Sequence, residues 1–279
     1  MLQATPDTIS GILAAATGGF TVELSGIFPL IKIPTNYTNR ITIIAHRATV
    51  RGVSVSGSNI DWFGGQIEAP NGNDGTAAGG YGIAYGATAR DVRWIGCKLR
   101  NANRGVAGGG GLRLSWIDCD FAVRQDGLII AGGEGFQIVG NRFHDFTPKP
   151  TTCTLPNGDI QYGLGSKSCV SLGGVWRDGD HSDAIQLRNG CKNFLIAYNK
   201  IESISQGIGQ MDSVTDAPLD DIQIIGNEVE VTGFHSITIG PNSTNISVIG
   251  NRTRQMTGRR SPLRLPVGAI VQDNEVLSP

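Results

Sequence analysis

Six consecutive residues, DGDHSD from Asp178 to Asp183, hold three carboxylates and an imidazole. Carboxylates beside a histidine are the raw material of general acid–base chemistry, in which one group takes a proton and another returns it. His181 or Arg188 could serve as the base, with Gln186 or Arg104 as donors toward developing negative charge. The oxygens of Asp178, Asp180 and Asp183 could also hold Ca²⁺, although their spacing is not that of an EF-hand loop. Plainer roles compete. Asp183 is suited to capping a turn by accepting backbone N–H bonds, and His181 to sitting solvated in a loop. The choice depends on the element that Asp183 opens, the apolar-alternating DAIQL.

That element belongs to a repeat. A short apolar strand, a small or Gly-Asn pair and a further apolar step recur as FQIVGNRF, LIAYNKI, IQIIGNEV, ISVIGNRT and AIVQDNEV, with Asn141, Asn199, Asn227, Asn251 and Asn274 at the turn. Earlier copies carry Gly26, His46, Gly65, Cys97 and Cys119 there, and the successive spacings are 20, 19, 32, 22, 22, 58, 28, 24 and 23. A basic period near 22 residues with occasional excess reads as one coil of a solenoid with loop insertions. Asparagine suits a repeated turn because it tolerates the left-handed conformation, and because stacked amides can bond from one copy to the next.

Stacked coils with an asparagine ladder resemble the right-handed parallel β-helix of the pectate-lyase-like superfamily over roughly residues 20–279. The expected fold is all-β: a single-stranded right-handed parallel β-helix of about nine to ten coils, one domain over 1–279, with a short N-terminal capping helix in 1–19. In that helix Thr5 would be the N-cap and Pro6 the first helical residue, with Ile9, Ile12, Leu13 and Ala16 as an apolar stripe ending at Gly18 and Gly19.

A second pattern follows each turn: YGIAY, RGVAG, DGLII, DAIQL, QGIGQ, HSITI and SPLRL. Aligned as equivalent strands, these lead with Tyr81, Arg104, Asp126, Asp183, Gln206, His235 and Ser261. Ile83, Val106, Leu128, Ile185, Ile208, Ile237 and Leu263 would point inward, and Ala84, Ala107, Ile129, Gln186, Gly209, Thr238 and Arg264 outward. Strand stacking then makes Asp126 and Asp183 neighbours, and one of the two carboxyls should be hard to ionise. The excess of the 58-residue spacing forms a long loop insertion over 147–180, just before Asp183, with Tyr162 and Trp176 as candidate sugar-stacking platforms. The resemblance implies that such a loop walls a groove in which an extended glycan crosses several coils.

Bulk properties exclude several classes. Twenty-three basic against 24 acidic residues argue against nucleic-acid binding through bulk charge. No apolar stretch is long enough for membrane insertion. The N-terminus has no basic region, so it is a poor secretory signal. Forty glycines in 279 residues fit many tight turns, and the run Gly108–Gly111 lacks the following helix of a phosphate loop. Cys97, Cys119 and Cys191 lie in strand contexts as core residues, while Cys153 and Cys169 share an irregular loop where a disulfide is open. His46 reads as structural, and His144 has no evident partner in sequence.

The resemblance leaves two classes of function. One is an enzyme, a polysaccharide lyase or a glycosidase. In the hydrolytic form Asp126 and Asp183 would be the carboxylate pair at the roughly 5–5.5 Å separation of retaining enzymes. The HSDAIQ strand loosely resembles the aspartate-bearing strand of polygalacturonases, but this chain has no adjacent Asp-Asp, no Gly-His-Gly and no Arg-Ile-Lys. Arg104, Tyr81, Gln206, His235, Arg264 and Trp176 would bind substrate, and no cofactor is required beyond the Ca²⁺ already considered. The other class is a phage tailspike or depolymerase-like receptor spike on a virion surface, a homotrimer joined through an adaptor protein, which binds polysaccharide with or without cleaving it. An open Asp126/Asp183 groove favours the enzyme, and burial of that face in a trimer seam favours the spike.

Overall fold

The computed structural model describes residues 1–15, 17–69, 80–147, 152–162, 166–177, 182–203, 205–210, 216–258 and 261–279. It is a right-handed parallel β-helix. A typical coil runs through Arg90–Ile95, turns at Gly96 and Cys97, continues as Lys98–Arg100, turns again and enters Arg104–Gly109. Strands of the first two kinds stack into a nineteen-stranded sheet, and those of the third into a nine-stranded sheet running from Ile31–Ile33 to Leu263–Arg264.

The core is built of like on like. Trp94 stacks on Trp116 with ring centroids 5.2 Å apart, Phe121 on Phe143 at 4.5 Å and Phe136 on Phe194 at 4.6 Å. Cys97, Cys119 and Cys191 are buried free thiols in this core.

The asparagine ladder is present. The backbone N–H and the Nδ2 of Asn141 both donate to Asn199 Oδ1 at 2.9 Å, and the same pair of bonds links Asn199 to Asn227, Asn227 to Asn251 and Asn251 to Asn274. One expectation needs correction. The left-handed residue is not the asparagine but the residue before it: Gly96, Asp118, Gly140, Tyr198, Gly226, Gly250 and Asp273 have φ between 51° and 69°. The preceding residue turns the chain, which leaves the asparagine free to satisfy its neighbours' backbone. In the early coils His46 is exposed beside a cleft, and buried Ala45 packs against Gly65 in its place.

The N-terminal cap also differs in detail. Leu2–Ala4 is a strand paired with Val22–Leu24, and the helix starts later, at Ile9, and runs to Ala15. Thr8 and Ile9 donate to the Thr5 carbonyl, and the Thr5 N–H donates to Thr8 Oγ1, so residues 5–8 form a turn before the helix. Ile9 and Leu13 are buried against the first coil as expected, and Tyr37 Oη donates to the Leu13 carbonyl at 2.6 Å. Ala16 lies outside the described residues.

The expected irregular loop is a small lobe. Thr152–Thr154 pairs antiparallel with Ile160–Tyr162 and with Val175–Arg177, beside a short helix over Ser166–Ser171. Cys153 and Cys169 are bonded to each other across it.

Candidate functional site

The nine-stranded sheet brings the leading residues into one column. Arg104 lies opposite Tyr81 on one side and Asp126 on the other, and Asp183 lies opposite Gln206. Leu128 opposite Ile185 sets Asp126 and Asp183 in the same row of adjacent strands. A Cβ at Gly105 would press on the Phe121 ring at 2.7 Å, one at Gly127 on the Phe143 ring at 2.6 Å, and one at Gly207 on Val229 at 2.4 Å. That glycine column packs on the core one residue before the buried column of Val106, Leu128, Ile185 and Ile208, so the strict alternation of a strand is broken at the entry where the leading residues sit.

Arg104 Nε donates to Asp126 Oδ2 at 3.0 Å, and its Nη1 to Tyr81 Oη at 3.4 Å. Its guanidinium carbon lies 5.8 Å from the Tyr81 ring centroid, a cation–π arrangement. The backbone N–H of Asp183 donates to Asp126 Oδ1 at 3.3 Å. Asp126 thus accepts from a neighbouring strand's backbone as well as from a cation.

The pair is not open. Asp126 is 3% exposed and Asp183 0%. Arg104 and the backbone of the adjacent strand cover the Asp126 carboxylate. Burial, with the neighbouring Asp183 carboxylate, pushes the Asp126 carboxyl up to about 6, against the opposing pull of Arg104.

The other expected residues are scattered around this centre. Gln186, in the outward column opposite Ile129 and Gly209, is only 7% exposed. Arg188 Nε lies 3.4 Å from both carboxylate oxygens of Asp216, so it is engaged as a fixed cation. A guanidinium does not lose its proton in proteins, which removes Arg188 as a base. Gln206 and Tyr81 are half-buried on either side of the pair. His235 Nδ1 donates to the Ser261 carbonyl at 2.6 Å, and Arg264 is exposed opposite Thr238.

Tyr162 is 66% exposed on the lobe. Trp176 lies on the lobe strand opposite Cys153, and its side chain is outside the described part. His181, Asp178 and Asp180 lie outside the described residues. Among the described residues no group of three or more His, Cys, Asp or Glu side chains could hold a metal ion. No helix among them is long and apolar enough to cross a membrane.

One cluster escaped the sequence reading. His144 Nε2 lies 2.5 Å from Asp120 Oδ1 and its Nδ1 2.7 Å from Asp145 Oδ2, while Arg100 Nη2 donates to Asp120 Oδ2 at 2.6 Å. Burial of Asp120 is outweighed by these bonds from Arg100 and His144, which hold its carboxyl below the usual range. The available signal was the coil period itself, which pairs Asp120 with Arg142 and Ala122 with His144.

No family model matches the chain, and no curated protein matches it. Among solved structures, the Dettilon tailspike protein superposes with a TM-score of 0.61 at 13% sequence identity. The match covers 98% of this chain, which spans 58% of the length of that tailspike chain. What the two chains share is the fold, a right-handed parallel β-helix.

Proposed function

We propose that the chain is a polysaccharide-binding β-helix of the tailspike kind, acting outside the cell or on a virion surface as a homotrimer joined to its particle by an adaptor protein. The observation that carries this reading is the polar column across the nine-stranded sheet. Tyr81, Arg104 and Gln206 are its reachable members, and Asp126, buried within the column beside Asp183, fixes Arg104 in place. An extended chain of repeating sugars is the ligand whose periodicity suits such a row. The tailspike likeness supports the same reading at the level of fold.

A second reading, cleavage of the bound chain, is favoured by one observation. Asp126 is lifted to about 6 beside a second carboxylate. A carboxyl that holds its proton beside a second carboxyl group is the pairing from which hydrolysis draws its general acid. In an elimination, Arg104 would meet the uronate carboxylate and His181 would take the proton.

The test is incubation with a panel of bacterial and algal polysaccharides, following absorbance of unsaturated uronates and new reducing ends. Asp126→Asn and Asp183→Asn serve as controls. Absorbance lost in the mutants establishes elimination, and reducing ends alone establish hydrolysis. Binding to capsule or whole cells without either product leaves the binding reading standing and ends the catalytic one. Absence of both binding and product overturns the proposal.

A further inference from the structure

A cleft of about 480 Å³ opens on the nineteen-stranded sheet, away from the column above. Among the described residues that line it, Arg40, Arg93 and Arg113 are cations and Asp91 is the one carboxylate. Strand register places Arg93, Ser115, Gln137, Leu195 and Gln223 in a single outward row, one per coil. At roughly 4.8 Å per strand, that row extends about 19 Å.

The guanidinium groups are held from behind. Arg93 donates through Nε and Nη2 to the two oxygens of Asp61 at 2.7 and 2.5 Å, and Arg113 likewise to Asp91 at 2.6 and 2.8 Å. Arg40 Nη1 donates to Asp61 Oδ1 at 2.6 Å. Asp61 is buried, whereas the arginine side chains remain 38–55% exposed. Among the described residues, Nη1 of Arg93, Nη1 of Arg113, and Nε and Nη2 of Arg40 meet no acceptor. Each cation is therefore fixed in place with donors left for an external anion. Fixing them in advance removes an ordering cost that flexible lysines would incur on binding.

We propose that this cleft binds an acidic saccharide, its carboxylates on the arginines and its hydroxyls along the exposed Gln137 and Gln223, with Ser115 buried in the floor between Arg93 and Gln137. Guanidinium forks suit carboxylates, and primary amides in a row suit a polyhydroxylated chain. Leu195 supplies an apolar step in the row, where the face of a sugar ring can rest. The ligand class rests on the polysaccharide reading above, but the position of the site does not. It lies on a different sheet from Asp126 and Asp183.

Calorimetric titration of the full chain with a galacturonic acid hexasaccharide, an oligosialic acid and a neutral dextran hexasaccharide tests the proposal. At least one acidic probe should bind, weakening as salt rises, while the neutral probe does not. Arg113→Gln should weaken binding tenfold or more. Gln137→Glu, at an exposed position whose side chain makes no hydrogen bond among the described residues, should do the same with thermal stability unchanged, and the surface control Arg51→Gln should have no effect. No binding of either acidic probe, or equal binding of dextran, overturns the proposal. So does acidic binding that survives both cleft variants. If that surviving binding is lost in Asp126→Asn, the sugar lies on the nine-stranded sheet, and the polysaccharide reading stands while this one falls.

Discussion

Asp126→Asn should make the protein more stable at neutral pH than at mildly acidic pH, relative to wild type. The Asp126 carboxyl rises from 3.8 in the unfolded chain to about 6 in the folded one. Between those values the folded state holds a proton that the unfolded state has released, so stability falls as pH rises through that window. At 1.36 kcal/mol per unit, the loss completed above pH 6 is about 3 kcal/mol. Asparagine stays neutral at every pH, and its Oδ1 can still accept the Asp183 N–H. Arg104 loses its carboxylate but keeps Tyr81, and it is part-exposed and can rehydrate. The expected difference in Tm between variant and wild type is therefore several degrees larger at pH 8 than at pH 4, since about 1 kcal/mol moves a domain approaching this size by roughly 2 °C. Scanning calorimetry at the two pH values measures it. An offset of equal size at both would show that Asp126 is ordinary in acidity, and a variant less stable at pH 8 would reverse the sign of the argument.

Two further outcomes follow from the packing. Asn227→Leu leaves the Asn199 backbone N–H and Nδ2 without their buried acceptor, at about 1–3 kcal/mol for each orphaned group; urea denaturation should show a larger loss than for Asn274→Leu at the half-buried end of the ladder. In the native protein without reductant, a thiol reagent should label none of the three buried cysteines, and after unfolding it should label three. Five labelled thiols after non-reducing unfolding would contradict the Cys153–Cys169 bond.

Much of the coil was legible because a solenoid repeats its constraints. Each turn must bend, stack and bury the same positions, so asparagine spacing alone gave the ladder, and the leading polar residues aligned as the strands do. What stayed hidden depends on distances that no period carries. Burial of Asp126 follows from Arg104 and a neighbouring backbone lying over it. The left-handed turn was assigned one residue late because asparagine is itself a common left-handed residue, and the glycine, aspartate or tyrosine before it carries no uniform signature. His144 showed no partner because Asp120 reaches it from one coil earlier, itself held by Arg100 from the coil before that, and because adjacency in sequence does not say that Asp145 folds back onto the ring. Arg188 was read as an available base because Asp216 meets it from 28 residues further on.

The ladder bond between Asn141 and Asn199 has the same 2.9 Å length as those joining Asn199 to Asn227 and Asn251 to Asn274, although it spans 58 residues and theirs span 28 and 23. The stack therefore does not register how much chain is looped out between two rungs. A disulfide-closed lobe at that position is an interchangeable cassette. Lineages of this fold could exchange it wholesale, and an engineer could graft another in its place, altering what the molecule presents outward without renegotiating the scaffold.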